Sequence, residues 1–115
     1  MAKKKTPSTP VGPSPAPPEM FAATLGDNGT VFKGAVLTQD QAEARRRIGE
    51  DVVVCGDNLA ANRALAGLIE RNANGVAKRC PPHLNAGRYA LPHYQPDERP
   101  PSGHTFYETP HRKAI

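Results

Sequence analysis

Proline occupies both ends of this chain and is absent from its middle. Six of the 13 prolines fall within residues 2–18, and the other seven lie between residues 81 and 110. Because proline lacks a backbone N–H and its ring clashes with the preceding turn, it is excluded from helix interiors and central strands. Residues 19–80 must therefore carry the long regular elements. Later residues are left with short extended pieces, which we expect at 88–91 and 104–108.

The N-terminal segment has no means of forming a core. Residues 2–18 combine six prolines and three lysines with otherwise small side chains. This composition buries too little apolar surface to offset chain entropy. We expect residues 1–18 to be a disordered Lys/Pro-rich tether ahead of one small domain at residues 19–115. The lysines are not followed by the apolar stretch that a cleavable signal peptide needs, so none is predicted. No run approaches the roughly 18 apolar residues of a membrane segment.

Two local patterns predict the first elements of the domain. A GDNG turn at residues 26–29, between two strand-like stretches, predicts a hairpin within residues 20–36. Thr38 followed by Gln41 matches a capping box, in which each side chain satisfies a backbone amide of the other residue. A helix is therefore expected over residues 39–48.

A buried strand and a second helix follow. The apolar run at residues 51–55 is bounded by glycines and predicts a strand buried on both faces. Asp57 or Asn58 then caps a helix that ends near Gly75. Its apolar stripe consists of Ala61, Leu65, Leu68 and Ile69, opposite Asn62, Arg63 and Glu70. We predict an α+β fold with two helices packed on a short, mostly antiparallel sheet.

Some function classes find little support in the sequence. The turn after the buried strand contains only Gly56, with neither GxGxxG nor GK[ST], so it does not predict a nucleotide-binding βα unit. Cys55 and Cys80 are compatible with a disulfide or with two thiols, and two cysteines are too few for a disulfide-dense scaffold. Residues 76–115 hold six basic and three acidic side chains. A polyanionic partner therefore meets its most favourable potential in this region.

All four histidines lie in the last third of the chain, so we expect the functional site in that region. Histidine exchanges protons near neutrality. A Pro/Gly-rich loop separates His93 from His104 and allows the chain to fold back, bringing both imidazoles to one cleft. Metal-free RNA cleavage uses such a pair, since one imidazole takes the 2′-hydroxyl proton and the other protonates the leaving 5′-oxygen.

Roles follow for seven residues. His93 and His104 are expected to act as base and acid, and Arg88 to steady the charge that builds on phosphorus. The expected substrate-binding side chains are Arg99 at a phosphate, Tyr94 and Tyr107 at a base, and His83. RNA is the expected substrate, with no metal and no cofactor.

Other interpretations stay open. Cys80 and His83 have a spacing that binds zinc in some proteins, and Cys55, His93 or His104 would have to complete the ligands. No second paired motif is present, so the sequence does not favour a zinc site. A non-catalytic interaction module and a metal-dependent DNase are the two remaining alternatives.

Two boxes near the C-terminus carry a resemblance to a known group of proteins. ALPHYQP at residues 90–96, followed by GHTFY at residues 103–107, resembles the endings of small toxin domains at the C-termini of bacterial polymorphic toxins, including Rhs-type and contact-dependent inhibition proteins. The similarity extends over about residues 49–110. The sequence departs from that pattern at Gln95, where such endings often carry a second histidine.

The resemblance implies a toxin nuclease, most often an RNase of the barnase-like or colicin-like α+β kind. It also implies a cognate immunity protein as partner. A protein of this kind is made in the bacterial cytoplasm, is exported without a cleavable signal peptide, and acts in the cytoplasm of a target cell.

Overall fold

The computed structural model describes residues 16–82, 89–97 and 101–115. Over these residues the chain forms six strands and two helices. In chain order they are β1 (Glu19–Leu25), β2 (Val31–Leu37), α1 (Gln39–Arg47), β3 (Val52–Cys55), α2 (Leu59–Asn74), β4 (Ala77–Cys80), β5 (His93–Pro96) and β6 (Thr105–Tyr107). Of the tether predicted at residues 1–18, residues 1–15 lie outside the described residues.

The strands form one open sheet in the order β2-β1-β3-β6-β5-β4. Every neighbouring pair is antiparallel except β3 and β6, which run parallel. Both helices pack on the same face of this sheet, so the predicted α+β fold is confirmed. No helix within the described ranges is long and apolar enough to cross a membrane.

Local sequence signals predict the elements before β3 correctly. In the turn between β1 and β2, Asn28 and Gly29 have φ values of 59° and 75°, a left-handed region that these residue types tolerate best. At the start of α1, Thr38 Oγ1 accepts a hydrogen bond from the Gln41 N–H at 3.2 Å, and Gln41 Oε1 accepts one from the Thr38 N–H at 2.9 Å. The hairpin and the capping box are both confirmed, and α1 ends at Arg47, one residue earlier than expected.

Strand β3 is the centre of the core. Val52, Val53 and Val54 are all fully buried, which confirms the prediction of a strand covered on both faces. Val52 and Val54 pack with residues of α1 and α2, on what we call the helix face of the sheet. Val53 and Cys55 pack on the opposite face together with Ala114 from the C-terminal tail, and we call this the tail face.

Helix α2 departs from its predicted polarity. Asn62 and Glu70 were expected on the solvent side, which is wrong: both are fully buried, whereas Leu68 is 39% exposed. Asn62 Nδ2 donates to the backbone carbonyls of Gly56 and Glu108 at 2.9 and 3.0 Å. Hydrogen-bonded partners offset the cost of burying a polar group. Hydrophobic periodicity alone does not anticipate these long-range partners.

The C-terminal strands agree only partly with the proline pattern. β6 confirms the extended piece expected at residues 104–108, but the piece expected at 88–91 is not a strand over its described residues 89–91. β5 begins after Pro92 instead, and Pro96 is its last residue, where a missing N–H disrupts the ladder least. β4 has no distinctive sequence pattern and was not predicted.

The two cysteines are free thiols. Cys55 ends β3 and Cys80 ends β4, and β6 and β5 lie between these strands. Three strand spacings of about 4.8 Å place β3 and β4 about 14 Å apart. A disulfide requires the two Cα atoms to lie within roughly 7 Å of each other. Burial, with a smaller contribution from Glu108, raises the pKa of Cys55 to about 12, as an inert buried thiol requires.

Candidate active site

The fold brings His93 and His104 together. β5 pairs with β6 so that His93 lies opposite Phe106, and His104 directly precedes β6. The two imidazole centroids are 4.7 Å apart and the ring planes are nearly perpendicular, at 76°. Phe106 completes a cluster of three rings, with centroids 5.5 Å from His93 and 5.0 Å from His104. The two imidazoles are brought into contact as predicted, but His93 is buried and does not line the open cleft beside His104.

The two histidines differ in their access to solvent. His93 is 1% exposed and is held within the core, whereas 22% of the His104 side chain is exposed. His104 also lines an open cleft on the surface. His104 is therefore accessible from this cleft, while His93 lies behind it.

Asp51 orients His104. One carboxylate oxygen, Asp51 Oδ1, accepts a hydrogen bond from the His104 backbone N–H at 2.8 Å and lies 3.2 Å from its ring Nδ1. A proton on Nδ1 completes the second hydrogen bond and leaves Nε2 for a ligand, the tautomer inferred from this partner. Burial works to raise the pKa of Asp51, but the hydrogen bonds and charge of His104 outweigh it and hold that pKa below its usual range.

The sequence interpretation missed Asp51. The residue was counted only as the first member of the apolar run 51–55, and nothing local connects it with a histidine 53 residues later. The parallel pairing of β3 with β6 makes the connection, because it places Val52 opposite Thr105 and hence Asp51 beside His104. An aspartate directly before a buried strand was the available signal.

The cleft beside His104 has a volume of about 470 Å³ and lies where β1 ends and β3 and β6 begin. Arg45 is the arginine that lines it. Its guanidinium donates to the Asp51 backbone carbonyl from Nε and Nη2, each at 3.1 Å, and forms an ion pair with Glu50 at 2.9 Å. Glu50 is half-exposed, so a phosphate group entering the cleft competes with it for Arg45.

A buried ion pair supports the loop that carries His104. Arg46 Nε lies 2.9 Å from Glu70 Oε1, and neither side chain is exposed. Arg46 Nη1 also donates to the Ser102 carbonyl at 3.0 Å. Gly103 follows with φ of +90°, and a Cβ atom there would lie 2.5 Å from Arg46 Nη1. The glycine of the GHTFY box is therefore required by both backbone conformation and space.

The predicted tyrosines lie elsewhere. Tyr94 and Tyr107 point to the helix face, with ring centroids 5.8 Å apart, and Tyr94 packs against Gly67 of α2. Tyr107 is 3% exposed. The sheet thus separates both tyrosines from the histidine pair. His83, Arg88 and Arg99 lie outside the described residues, and their roles stay predictions.

No group of three or more His, Cys, Asp or Glu side chains capable of holding a metal ion occurs within residues 16–82, 89–97 and 101–115.

Comparison of the chain with protein-family models, curated proteins and solved structures gave no match.

Proposed function

We propose that this domain is a toxin-like, metal-independent endoribonuclease whose proton transfers are centred on His104. The observation that carries the proposal is the Asp51–His104 pair, at 3.2 Å, on the wall of an open cleft. A carboxylate that fixes the tautomer of a histidine and stabilises its protonated form is a recurrent device of acid–base catalysis.

The proposed reaction is attack of the ribose 2′-oxygen on the adjacent phosphorus. His104 Nε2 takes the 2′-hydroxyl proton, the 2′-oxygen bonds to phosphorus, and the bond from phosphorus to the 5′-oxygen breaks. The leaving 5′-oxygen receives a proton, and the products are a 2′,3′-cyclic phosphate and a 5′-hydroxyl. Because the nucleophile is the 2′-hydroxyl, DNA is not a substrate.

His93, which the sequence predicts as the base, here exchanges roles with His104 and supplies the proton to the leaving 5′-oxygen. Its ring is in contact with His104 but 1% exposed, so this role requires the ring to reach the cleft during the reaction. Arg45 is the described side chain best placed to bind a phosphate, in addition to the roles predicted for Arg88 and Arg99. An immunity protein that covers the cleft is the corresponding partner.

The direct test incubates the purified full chain with total RNA, tRNA and plasmid DNA, with and without EDTA. We expect EDTA-resistant cleavage of RNA to cyclic-phosphate ends. His104→Ala is expected to lower the rate by about 10²-fold or more. Asp51→Asn is expected to lower it by at least about tenfold, since holding a catalytic histidine in its tautomer is worth up to roughly 10⁴. His111→Ala is the matched control, because His111 is exposed and does not line the cleft.

Three outcomes contradict the proposal. Intact RNA with folded protein favours a non-catalytic interaction module, in which the histidine cluster only stabilises the loop. Cleavage that EDTA abolishes favours a metal-dependent nuclease. Equal rates for His104→Ala and the His111→Ala control place the active site elsewhere. Expression in bacterial cytoplasm adds a cellular readout, where we expect growth inhibition that His104→Ala relieves.

A further inference from the structure

A second cleft lies at the other end of β6, on the helix face. It has a volume of about 400 Å³, and its walls come from α2, from β4 and the residues after it, from the residue before β5, and from the end of β6. Its lining residues are Leu59, Arg63, Arg79, Cys80, Pro81, Pro82, Pro92, Tyr107 and Thr109. His104 and Thr109 are five residues apart along an extended chain, or roughly 16 Å, so this cleft is separate from the candidate active site.

The cleft is positively charged. Arg63 and Arg79 line it, and among the residues that the structure describes no acidic side chain does. Neither arginine forms an ion pair with a described residue, and Arg63 Nε is buried without a hydrogen-bond partner among those residues. The nearby Glu108 carboxylate is directed to the backbone amides of Gly56 and Ala114, at 3.2 and 2.9 Å. Arg63 as a whole is partly exposed, but a buried donor without a partner costs free energy, and an anion entering the cleft can pair with this guanidinium.

Helix α2 adds to this potential. The cleft is lined by Leu59, the first residue of the 16-residue helix, and by Arg63, one turn later. The N-terminal end of a helix carries partial positive charge and favours anions. Two guanidinium groups in such a place match a phosphate, because arginine binds phosphate oxygens through parallel hydrogen bonds.

The remaining walls are apolar and rigid. Three prolines and Leu59 supply most of the apolar lining, because Tyr107 is only 3% exposed, and the volume lies within the roughly 300–1,000 Å³ usual for small-molecule sites. An apolar wall beside two arginines suits a base or sugar attached to the phosphate. We propose that this cleft binds a nucleotide, with its phosphate between Arg63 and Arg79 and its nucleoside against Leu59 and the prolines. The assignment does not depend on RNA cleavage at His104.

The test titrates the full chain with AMP, adenosine and inorganic phosphate in separate experiments. Binding is monitored through changes in the ¹H–¹⁵N NMR chemical shifts of the protein. We expect saturable AMP binding, with tighter affinity than for phosphate or adenosine. Arg79→Gln should weaken AMP binding about tenfold or more, the usual worth of a hydrogen bond to a charged group. Arg79 is exposed, so this variant should fold normally. Arg63→Gln should have a similar effect, with its folding checked by thermal unfolding.

Lys78→Gln is the matched control. This substitution removes one positive charge from the same strand as Arg79→Gln does. Lys78 is exposed and does not line the cleft, so its replacement should change AMP affinity by less than about twofold. His104→Ala should also leave AMP binding unchanged, which separates this site from the candidate active site.

Any of four results overturns the proposal. The first is AMP binding that does not saturate by about 10 mM, a concentration that even a weak specific site should reach, and the second is an equal loss of AMP affinity in Arg79→Gln and Lys78→Gln. The third is phosphate binding as tightly as AMP, and the fourth is an Arg79-dependent site that prefers hexaglutamate to AMP. The last result assigns the cleft to an acidic protein segment instead.

Discussion

Replacing Arg46 by methionine tests how the core and the candidate active site are connected. Methionine keeps much of the volume of arginine but removes its charge and its donors. The change deletes hydrogen bonds to Glu70 Oε1 at 2.9 Å, to the Glu50 carbonyl at 2.9 Å and to the Ser102 carbonyl at 3.0 Å. Glu70 is left fully buried, and the Thr105 hydroxyl at 3.0 Å is one of its remaining donors.

The expected cost follows from that geometry. Removing one partner of a buried ion pair destabilises a protein by about 3–5 kcal/mol, because the other charge is left without compensation. A domain of this size has a total free energy of unfolding of roughly 5–15 kcal/mol. Arg46→Met should therefore remove a large share of the stability. Each kcal/mol lowers the melting temperature of such a small domain by about 4–8 °C, so a fall of roughly 15 °C or more is expected.

The assay is a double-mutant cycle followed by urea unfolding and far-UV circular dichroism. The variants are Arg46→Met, Glu70→Leu and the double variant, which replaces the ion pair with apolar side chains. Since the double variant leaves no unpaired charge, its loss of stability should be smaller than the sum of the single losses by about 2 kcal/mol or more. Additive losses, or a loss below about 1 kcal/mol for Arg46→Met alone, would refute the reasoning.

Three further predictions rest on separate features. A thiol reagent near pH 8 should modify Cys80 in the folded protein and Cys55 only after unfolding, because a pKa of about 12 leaves roughly one in 10⁴ of the buried thiol ionised; labelling of both in folded protein contradicts this. Gly103→Ala should destabilise the fold by about 2 kcal/mol or more in urea unfolding, since φ is +90° and the new Cβ would lie 2.6 Å from the Gly49 carbonyl oxygen; a neutral result contradicts it. The lowered pKa of Asp51 stabilises the fold above its unfolded value near 4, and this contribution is lost as pH falls through the folded value. The cost of Asp51→Asn should therefore be larger near neutral pH than near pH 3, and a pH-independent cost contradicts that.

Sequence signals located elements wherever the determining contacts are local. The turn at residues 26–29 depends on which residues tolerate positive φ, and the start of α1 depends on the side chains of Thr38 and Gln41. The strand at Val52–Cys55 was readable because burial on both faces leaves a continuous apolar run. β4 has the sequence AKRC, and its strand conformation comes from pairing with β5.

Half of the candidate active site was readable for the same reason. His93 and His104 were identified by residue type and by the loop between them, and their contact follows from the pairing of β5 with β6. The burial of His93 and the placement of both tyrosines on the helix face depend on strand register, since a shift by one residue moves a side chain to the other face. Asp51 depends on the parallel pairing of β3 with β6, which no local pattern encodes.

The charged groups of the core and the site act on one short segment, residues 102–105. Arg46 holds the Ser102 carbonyl, Asp51 holds the His104 backbone N–H and ring, and Glu70 accepts from the Thr105 hydroxyl. Three anchors from α1, α2 and the start of β3 thus fix four consecutive residues in a region that is otherwise rich in proline and glycine. Burying the Arg46–Glu70 ion pair has a large desolvation penalty, and apolar side chains of similar volume often give a core of equal or greater stability. The position of this ion pair beneath Gly103 accounts for it, because apolar side chains offer no donor to the Ser102 carbonyl and no acceptor to Thr105. The double variant with an apolar core should therefore regain part of the stability that Arg46→Met loses but not the geometry of His104, and in the assay of the proposed RNA cleavage its rate should stay below that of the wild-type chain.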